Sequence, residues 1–289
     1  MDNSKIRRAL LIILDGVGIG PTGDNNGWTL ADTPNIDLLY KDYPSTTIEA
    51  SGENVGLPKG QMGNSEVGHM IIGSGKIFKQ DLVIINEAIE DSSFFSNEAI
   101  LKAILSVKET ENNLHLLGLA SYGGVHSHVD HLIAILKMCK SYGVSPKLHL
   151  FTDGRDADPK SSIEILNNLD KSLKKYGGEI YTISGRYFAM DRDQRWPRTE
   201  LAWDAIVNNK GNSGDNYLDV INESYDKDIT DEFIIPTSLS CAKPLQKEDS
   251  LLFFNFRNDR TRQIARALNV ERFENFRRTN NNTAYSITT

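Results

Sequence analysis

The chain has 289 residues, of which 39% are hydrophobic and 25% are charged, so its composition is that of a soluble globular protein with a large core. This length exceeds one average domain and predicts two. The net charge of −7 argues against nucleic acid or an anionic membrane as a partner. Cys139 and Cys241 stand in no metal-binding spacing, which favours a reducing compartment. The N-terminal apolar run, residues 9–14, is too short for a signal peptide or membrane span. We therefore expect a cytoplasmic protein.

Predicted strands and helices alternate along the chain. Residues 9–14 are a continuous apolar run that ends in Asp15, as a buried parallel strand would at a functional edge. Proline at the first helical position predicts helices that begin at Thr33-Pro34, Asp158-Pro159 and Trp196-Pro197, the last two ending near Tyr176 and Gly211. Further buried strands are predicted at residues 114–119, 147–151, 179–183 and 251–256, and a loop at residues 277–283. This alternation predicts an α/β fold with largely parallel sheets.

Residues 60–69, with the sequence GQMGNSEVGH, place a single hydroxyl among glycines at a predicted helix start. Asn64 or Ser65 could cap the helix, whose free N–H groups would then face any group that the hydroxyl carries. On spacing alone Ser65 could be a plain cap. In a functional site it could accept a phosphoryl group, whose charge the helix end and a metal would offset.

Polar clusters follow the predicted strands, and the carboxyl ends of parallel strands share one edge of a sheet. Arginine forks match phosphate and carboxylate oxygens, so these clusters predict a small, multiply charged anion as ligand. The arginines in loops beside glycines or acids are favoured as ligand contacts: Arg155, Arg186, Arg192, Arg257 and Arg260.

Other polar residues of these segments have simpler interpretations. Asp15, although suited to a hard cation, could be only a turn residue before glycine. His128 and His131 are expected to cap or support a helix rather than bind metal. Arg195 and Arg198 are expected to be surface ion-pair residues, and residues 262 and 266 to lie on a solvated helix face.

The order of these motifs resembles that of the cofactor-independent phosphoglycerate mutases, members of the alkaline phosphatase superfamily. The shared motifs are LDG at 14–16, ASGE at 50–53, GQMGNSEVGH at 60–69, GGVHSH at 123–128, DGRD at 153–156, SGRY at 184–187, AMDRD at 189–193 and FFNFR at 253–257. The resemblance covers essentially the whole chain and the N-terminal part of those enzymes. It implies an incomplete α/β alkaline-phosphatase-like domain with an inserted α/β transferase-like, substrate-binding domain. Applied to this sequence, the resemblance predicts that residues 1–76 are the first segment of the phosphatase-like domain and that residues 77–283 are the insertion. Residues 284–289 would start the strand that returns to the phosphatase-like domain.

The resemblance also implies an activity: interconversion of 3-phosphoglycerate and 2-phosphoglycerate, in glycolysis and gluconeogenesis, through a phosphoserine at Ser65. Asp156 would act as base or acid on the glycerate hydroxyls, while domain closure would exclude water. Asp15 and Ser65 would help to hold one of two divalent metals, manganese or magnesium, and no 2,3-bisphosphoglycerate would be required. The complete protein would be a monomer. Its substrate contacts would be His126, Arg155, Asp156, Arg186, Arg192, Arg257 and Arg260.

Departures from the family pattern leave other hypotheses open. Tyr122 and Asn258 replace residues usual in the family. In the family the remaining metal ligands come from a C-terminal segment, and Asp15 and Ser65 alone would not complete a metal site. The chain could therefore be a non-catalytic phosphoglycerate-binding remnant or half of a split enzyme. Another metal-dependent phosphatase or phosphomutase of the superfamily is disfavoured by the five loop arginines and the serine nucleophile.

Overall fold

The computed structural model describes residues 9–278 and 285–289. Its contacts divide the chain into two compact units, Met1–Gln80 and Asp81–Thr289. Two units are what the length of the chain predicts.

The first unit is helical in its described part. Its helices are α1 (Gly27–Leu30), α2 (Pro34–Asp42) and α3 (Ser65–Ser74), with a short 3₁₀ turn at Gly52–Val55. The helix predicted at Thr33-Pro34 is confirmed as α2, with the proline in its first turn. Asn64 caps α3, because its side-chain oxygen accepts a hydrogen bond from the Val67 N–H at 3.1 Å.

The strand predicted at residues 9–14 is wrong. Residues 9–14 have no regular structure and are exposed, with Leu10 85% accessible. A strand needs a hydrogen-bonded neighbour, and the described residues of the first unit contain no strand that could supply one. The small core of this unit is formed instead by Val55, Leu57 and Val67.

The second unit is built around one mixed, mostly parallel sheet. Within the described residues its strands are β1 (Leu114–Ala120), β2 (Lys147–Thr152), β3 (Glu179–Gly185), β4 (Asn212–Gly214), β5 (Thr237–Leu239), β6 (Ser250–Phe253) and β7 (Ser286–Thr288). They lie in the order β4-β5-β3-β2-β1-β6-β7, and the pairing of β5 with β3 is antiparallel. Its helices are α4 (Asp81–Glu90), α5 (Glu98–Lys108), α6 (Val129–Ser141), α7 (Ser162–Tyr176), α8 (Arg186–Ala189), α9 (Trp196–Asn208), α10 (Tyr217–Asp226) and α11 (Arg262–Asn269), with 3₁₀ turns at Ser93–Ser96 and Asp231–Phe233.

Strand β1 is an interior strand of this sheet and is buried on both faces. Leu114 and Leu116 belong to an apolar cluster that includes residues of α6 and α7, whereas Leu117 and Leu119 belong to a second cluster that contains Trp203 of α9. Because alternate side chains of a strand point to opposite faces, helices must cover both faces of the sheet. The α/β fold predicted from the alternating pattern is therefore confirmed for this unit.

Predicted boundaries differ by a few residues where side chains redirect the chain. Helix α7 begins at Ser162 rather than beside Pro159, because the Asp231 carboxylate accepts the N–H groups of Ser161 and Ser162, both at 2.9 Å. Strand β6 ends at Phe253, and Asn255 leaves the ladder to accept the Leu119 N–H at 2.9 Å. The helix predicted from Trp196 is confirmed as α9.

The C-terminal segment joins this sheet at its edge. Ser286–Thr288 pairs in parallel with β6, while residues 279–284, which include part of the predicted loop and the first residue of the predicted return strand, lie outside the described residues. The domain boundaries at 77 and 284 stay predictions. No helix in the described part of the chain has the length and apolar character needed to cross a membrane.

Candidate functional site

The predicted nucleophile of the first unit, Ser65, is the first residue of helix α3. Its hydroxyl donates to Asp15 Oδ2 at 2.7 Å, so the structure brings together two residues that are 50 positions apart in the chain. One turn later in the helix, His69 Nδ1 lies 3.2 Å from Ser65 Oγ and 2.8 Å from the Ser65 carbonyl oxygen. Sequence reasoning did not single out His69, although the i,i+4 spacing of Ser65 and His69 places them on one helix face.

The pair of Asp15 and Ser65 suits a hard cation as part of a ligand set. A carboxylate oxygen and a hydroxyl oxygen 2.7 Å apart are the ligand type that magnesium and manganese prefer. Within residues 9–278 and 285–289, no three His, Cys, Asp or Glu side chains are grouped so that they could hold a metal ion. The chemistry of the pair thus fits two ligands of a divalent ion, not a complete site.

In the second unit, the predicted anion-binding residues lie at the carboxyl ends of four neighbouring strands. Strands β3, β2, β1 and β6 are adjacent and parallel, so their following loops meet at one edge. His126 follows β1, Arg155 and Asp156 follow β2, Arg186 and Arg192 follow β3, and Arg257 and Arg260 follow β6. The clustering expected from the strand pattern is therefore present, and the site is built from segments distant in sequence.

Arg186 is the most buried cation of this site, with a side chain only 2% exposed. Its Nη1 donates to Asp153 Oδ1 and to Asp156 Oδ2, both at 2.5 Å, while the hydroxyl of Ser121 donates to Asp153 Oδ2 at 2.5 Å. Burial raises the pKa of Asp153, but the hydrogen bonds from Ser121 and the Asp156 N–H, together with Arg186, hold that pKa below its usual value. Asp153 is therefore an ionised anchor that fixes the arginine.

A second carboxylate of the site, that of Asp259, lies close to Arg192, Arg257 and His126. Its Oδ2 accepts from Arg192 Nη1 at 2.8 Å, and its Oδ1 lies 3.3 Å from Arg257 Nε and 3.5 Å from His126 Nδ1. Burial raises the pKa of Asp259, yet the charge of Arg257 and the hydrogen bond from Arg192 hold it below the usual range. The carboxylate is thus a negative centre shared by three loops.

His126 is a buried imidazole that stays neutral near neutral pH. Burial, reinforced by the charge of Arg186, lowers its pKa to about 4 despite the opposing carboxylates of Asp259 and Asp156. The Nε2 atom lies 3.7 Å from Asp156 Oδ2. A neutral histidine between two acids can offer one N–H and one lone pair to a ligand.

Two more arginines complete the cluster, with different partners. Arg155 Nη1 lies 3.6 Å from Glu232 Oε1, and this arginine is 55% exposed. The Arg260 Nε atom is buried and has no hydrogen-bond partner. Burial and the charges of Arg186, Arg192 and Arg155 lower the pKa of Arg260, since like charges surround it. An anion would relieve that repulsion.

The loops after β1 and β2 approach each other too closely for a side chain at Gly123. A Cβ atom there would lie 2.5 Å from the Asp156 carbonyl oxygen. Glycine therefore lets the Asp156 backbone pack against the loop that carries His126.

The expectations for the neighbouring residues had mixed outcomes. Arg195 is a surface residue, 57% exposed and 3.9 Å from Asp193, and His128 caps α6, both as expected. Arg198 was wrongly expected at the surface: its side chain is 23% exposed, stacks 3.6 Å from the Tyr187 ring centroid and pairs with Asp191. The position of Arg198 near a helix start gave no indication in the sequence that its guanidinium would stack on an aromatic ring.

Sequence reasoning missed four partners that organise the cluster: Ser121, Asp153, Glu232 and Asp259. Asp153 and Asp259 stand within or beside the arginine motifs, so their proximity to arginines was a usable signal. No sequence signal pointed to Glu232, because the 3₁₀ turn Asp231–Phe233 reaches the site only through tertiary packing.

Comparisons with known proteins converge on one family. The family described as BPG-independent PGAM N-terminus (iPGM_N) matches residues 85–289. A 2,3-bisphosphoglycerate-independent phosphoglycerate mutase of Clostridioides difficile (strain 630) is 50% identical over 274 residues, which is 93% of this chain and 53% of the relative. The corresponding protein of Clostridium novyi (strain NT) is 47% identical over 275 residues, 93% of this chain and 54% of the relative.

A solved structure gives the same result for the fold. The crystal structure of Leishmania mexicana phosphoglycerate mutase at low cobalt concentration superposes with a TM-score of 0.86 and 30% identity, covering 95% of this chain and 53% of that chain. The chain thus spans about half the length of the relatives that it matches.

Proposed function

Because the chain belongs to the family of BPG-independent phosphoglycerate mutase N-terminal regions, we propose that it supplies the nucleophile and the substrate-binding arginines of a mutase. The proposed reaction interconverts 3-phosphoglycerate and 2-phosphoglycerate without 2,3-bisphosphoglycerate, in the cytoplasm, as a step of glycolysis and gluconeogenesis. The observation that carries the proposal is the group of five arginines and one neutral histidine at a single sheet edge. A phosphate and a carboxylate on one small molecule would complement that charge.

The arginine site is proposed to bind and orient the phosphoglycerate. Arg257 and Arg260, together with Arg186 and Arg192, would hold phosphate and carboxylate oxygens, since a planar guanidinium can donate two parallel hydrogen bonds. Support comes from the buried, unpartnered Nε atoms of Arg186 and Arg260, which a ligand oxygen could satisfy.

We propose that Ser65 carries the phosphoryl group between the two positions of the glycerate. In the first transfer a bond forms between Ser65 Oγ and phosphorus while the bond from phosphorus to the 3-oxygen breaks. Ser65 loses a proton, for which Asp15 Oδ2 at 2.7 Å is the nearest acceptor, and the 3-oxygen gains one. In the second transfer a bond forms between the 2-oxygen and phosphorus while the bond from phosphorus to Ser65 Oγ breaks. The 2-hydroxyl loses a proton and Ser65 Oγ regains one, which restores the serine.

Asp156 is proposed to exchange protons with the glycerate hydroxyls. Its Oδ2 is held by Arg186 and faces the neutral His126, so the carboxylate has a fixed direction before substrate arrives. Asp15 and Ser65 would ligate a divalent ion, manganese or magnesium, which when bound would neutralise charge on the transferring phosphoryl group.

The test of the nucleophile is Ser65→Ala in the active mutase. Mass spectrometry after incubation with 3-phosphoglycerate should detect phosphate on the peptide that contains Ser65 in the native protein and none in the variant. Turnover should be lost, while binding of 3-phosphoglycerate should persist because the arginines supply it. Ser74→Ala, at the far end of the same helix, is the matched control. Near-normal turnover of the Ser65 variant would contradict the assignment.

A further inference from the structure

The carboxylate of Asp259 contacts cationic or polar groups from three separate loops of the anion site. Arg192 follows β3, His126 follows β1, and Arg257 follows β6 together with Asp259 itself. Strands β3 and β6 are separated by β2 and β1, a distance of about 14 Å at ordinary strand spacing. The ion pair of Arg192 and Asp259 therefore joins two loops whose preceding strands are not neighbours in the sheet.

We propose that Asp259 is a positioning residue, which holds Arg192 and Arg257 in the orientation that receives the substrate anion. The inference rests on the proposed function, because it assigns a role within the same site. Asp259 would act through the two arginines rather than on the reacting atoms.

The burial of Asp259 supports this role over that of an ordinary surface ion pair. Its Oδ1 atom is buried and has no hydrogen bond, and its side chain is 28% exposed. A carboxylate oxygen without hydrogen bonds is unfavourable unless nearby cations compensate it. Arg257 Nε lies 3.3 Å from this Oδ1 atom and compensates it, while Arg192 Nη1 donates to Oδ2 at 2.8 Å, so the acid and the two arginines form one interdependent group.

The contribution of Asp259 to binding has two opposing parts. As a negative charge it competes with an anionic substrate for the guanidinium groups. As an anchor it fixes two long side chains whose rotamer freedom would otherwise be lost on binding. We expect the anchoring to dominate, because Arg192 is 47% exposed and the structure gives its guanidinium no other carboxylate partner among the described residues.

The first test is a titration of the 289-residue protein with 3-phosphoglycerate. We expect Asp259→Asn to weaken binding at least tenfold, although the substitution makes the site more positive, and Asp259→Glu to recover part of the loss. Asp193→Asn is the matched control, because it removes one negative charge from the loop of Arg192. Asp193 is 60% exposed, and among the described residues its carboxylate pairs only with Arg195, at 3.9 Å. It should change the dissociation constant less than twofold. Unchanged or tighter binding by Asp259→Asn would overturn the proposal.

A double-mutant cycle separates positioning from a general loss of structure. Arg192→Ala should weaken binding in the native background and add almost nothing in the Asp259→Asn background. Arg155→Ala should add its full effect in both backgrounds, because Arg155 pairs with Glu232 instead. Additive losses for Arg192 and Asp259 would contradict the proposal.

A measurement without substrate tests the positioning role of Asp259 separately from the proposed function. In the ligand-free protein, NMR relaxation of the arginine Nε–H groups should report increased motion of Arg192 and Arg257 in Asp259→Asn but not in Asp193→Asn. If the native protein fails to bind phosphoglycerate while this increase is seen, the proposed function is wrong and the positioning role stands. Unchanged arginine motion would overturn the positioning role itself.

Discussion

His131 should make the stability of the second unit depend on pH. The imidazole is 2% exposed, and its Nε2 lies 2.8 Å from the side-chain oxygen of Asn86. Burial, followed by the charge of His128, lowers the pKa of His131 to about 4. The unfolded chain therefore binds more protons than the folded chain between pH 6.5 and pH 4, so stability falls as the pH falls through that window.

The size of the effect follows from the two pKa values. With about 6.5 unfolded and about 4 folded, lowering the pH from 7 to 5 costs roughly 2 kcal/mol through His131 alone. His131→Gln removes the titration and should reduce the pH-dependent loss by about that amount. His126, with its own pKa lowered to about 4, remains in the variant and continues to contribute.

Urea unfolding at pH 7 and pH 5, followed by circular dichroism, measures this difference. The variant is expected to be less stable than the native protein at pH 7, so only the change between the two pH values is compared. Lys137→Gln is the control, because Lys137 is exposed on the same helix. An equal pH-dependent loss in the native and His131→Gln proteins would refute the reasoning.

Three further predictions follow from the contacts and the exposure of particular residues. Arg257→Lys keeps the charge but loses the planar fork, so we expect its free energy of 3-phosphoglycerate binding to weaken by about 2 kcal/mol. Arg195→Lys, at the surface, should change this binding little. Equal effects of the two substitutions in calorimetry would contradict the assignment of Arg257 to the ligand site and of Arg195 to the surface. Arg186→Met leaves the buried Asp153 without its cation and should lower the free energy of unfolding by about 3–5 kcal/mol; recovery in the double variant with Asp153→Asn would confirm the cause, and an undiminished native stability would contradict it. Limited proteolysis should cut first in the first unit near residues 9–14, which lack regular structure, while the sheet of the second unit persists; mass analysis showing early cleavage within the sheet would contradict this.

Much of the second unit was predictable from its sequence, because its strands are buried on both faces. Apart from His115 and Gly118, residues 114–119 are leucines, and this run predicts a strand that is buried on both faces, as β1 is. The loop arginines could be grouped for the same reason, since parallel strands end at one edge.

Features that depend on a partner distant in sequence could not be predicted. The apolar run at residues 9–14 has the pattern of a strand, but a pattern does not show whether a neighbouring strand is present. The sequence also did not predict the pairing of carboxylates with arginines. Asp259 pairs with Arg192 because of the order of strands in the sheet. The spacing of motifs placed Ser65 at a helix start, whereas its hydrogen bond to Asp15 spans 50 residues and required the fold.

The strand order also determines when the anion site can form during folding. Strand β6 pairs directly with β1, although Leu119 and Asn255, which join them by a hydrogen bond, are 136 residues apart. Closing so long a loop is slow compared with forming the helices, because its entropy is lost before the contact is made. During synthesis the ribosome must therefore release residue 260 before the arginines that follow β2, β3 and β6 can meet His126, which follows β1. A nascent chain that ends after α8 already carries Arg155 and Arg186 but lacks Arg257 and Arg260. The proposed ligand would therefore bind preferentially to chains in which β6 has joined the sheet.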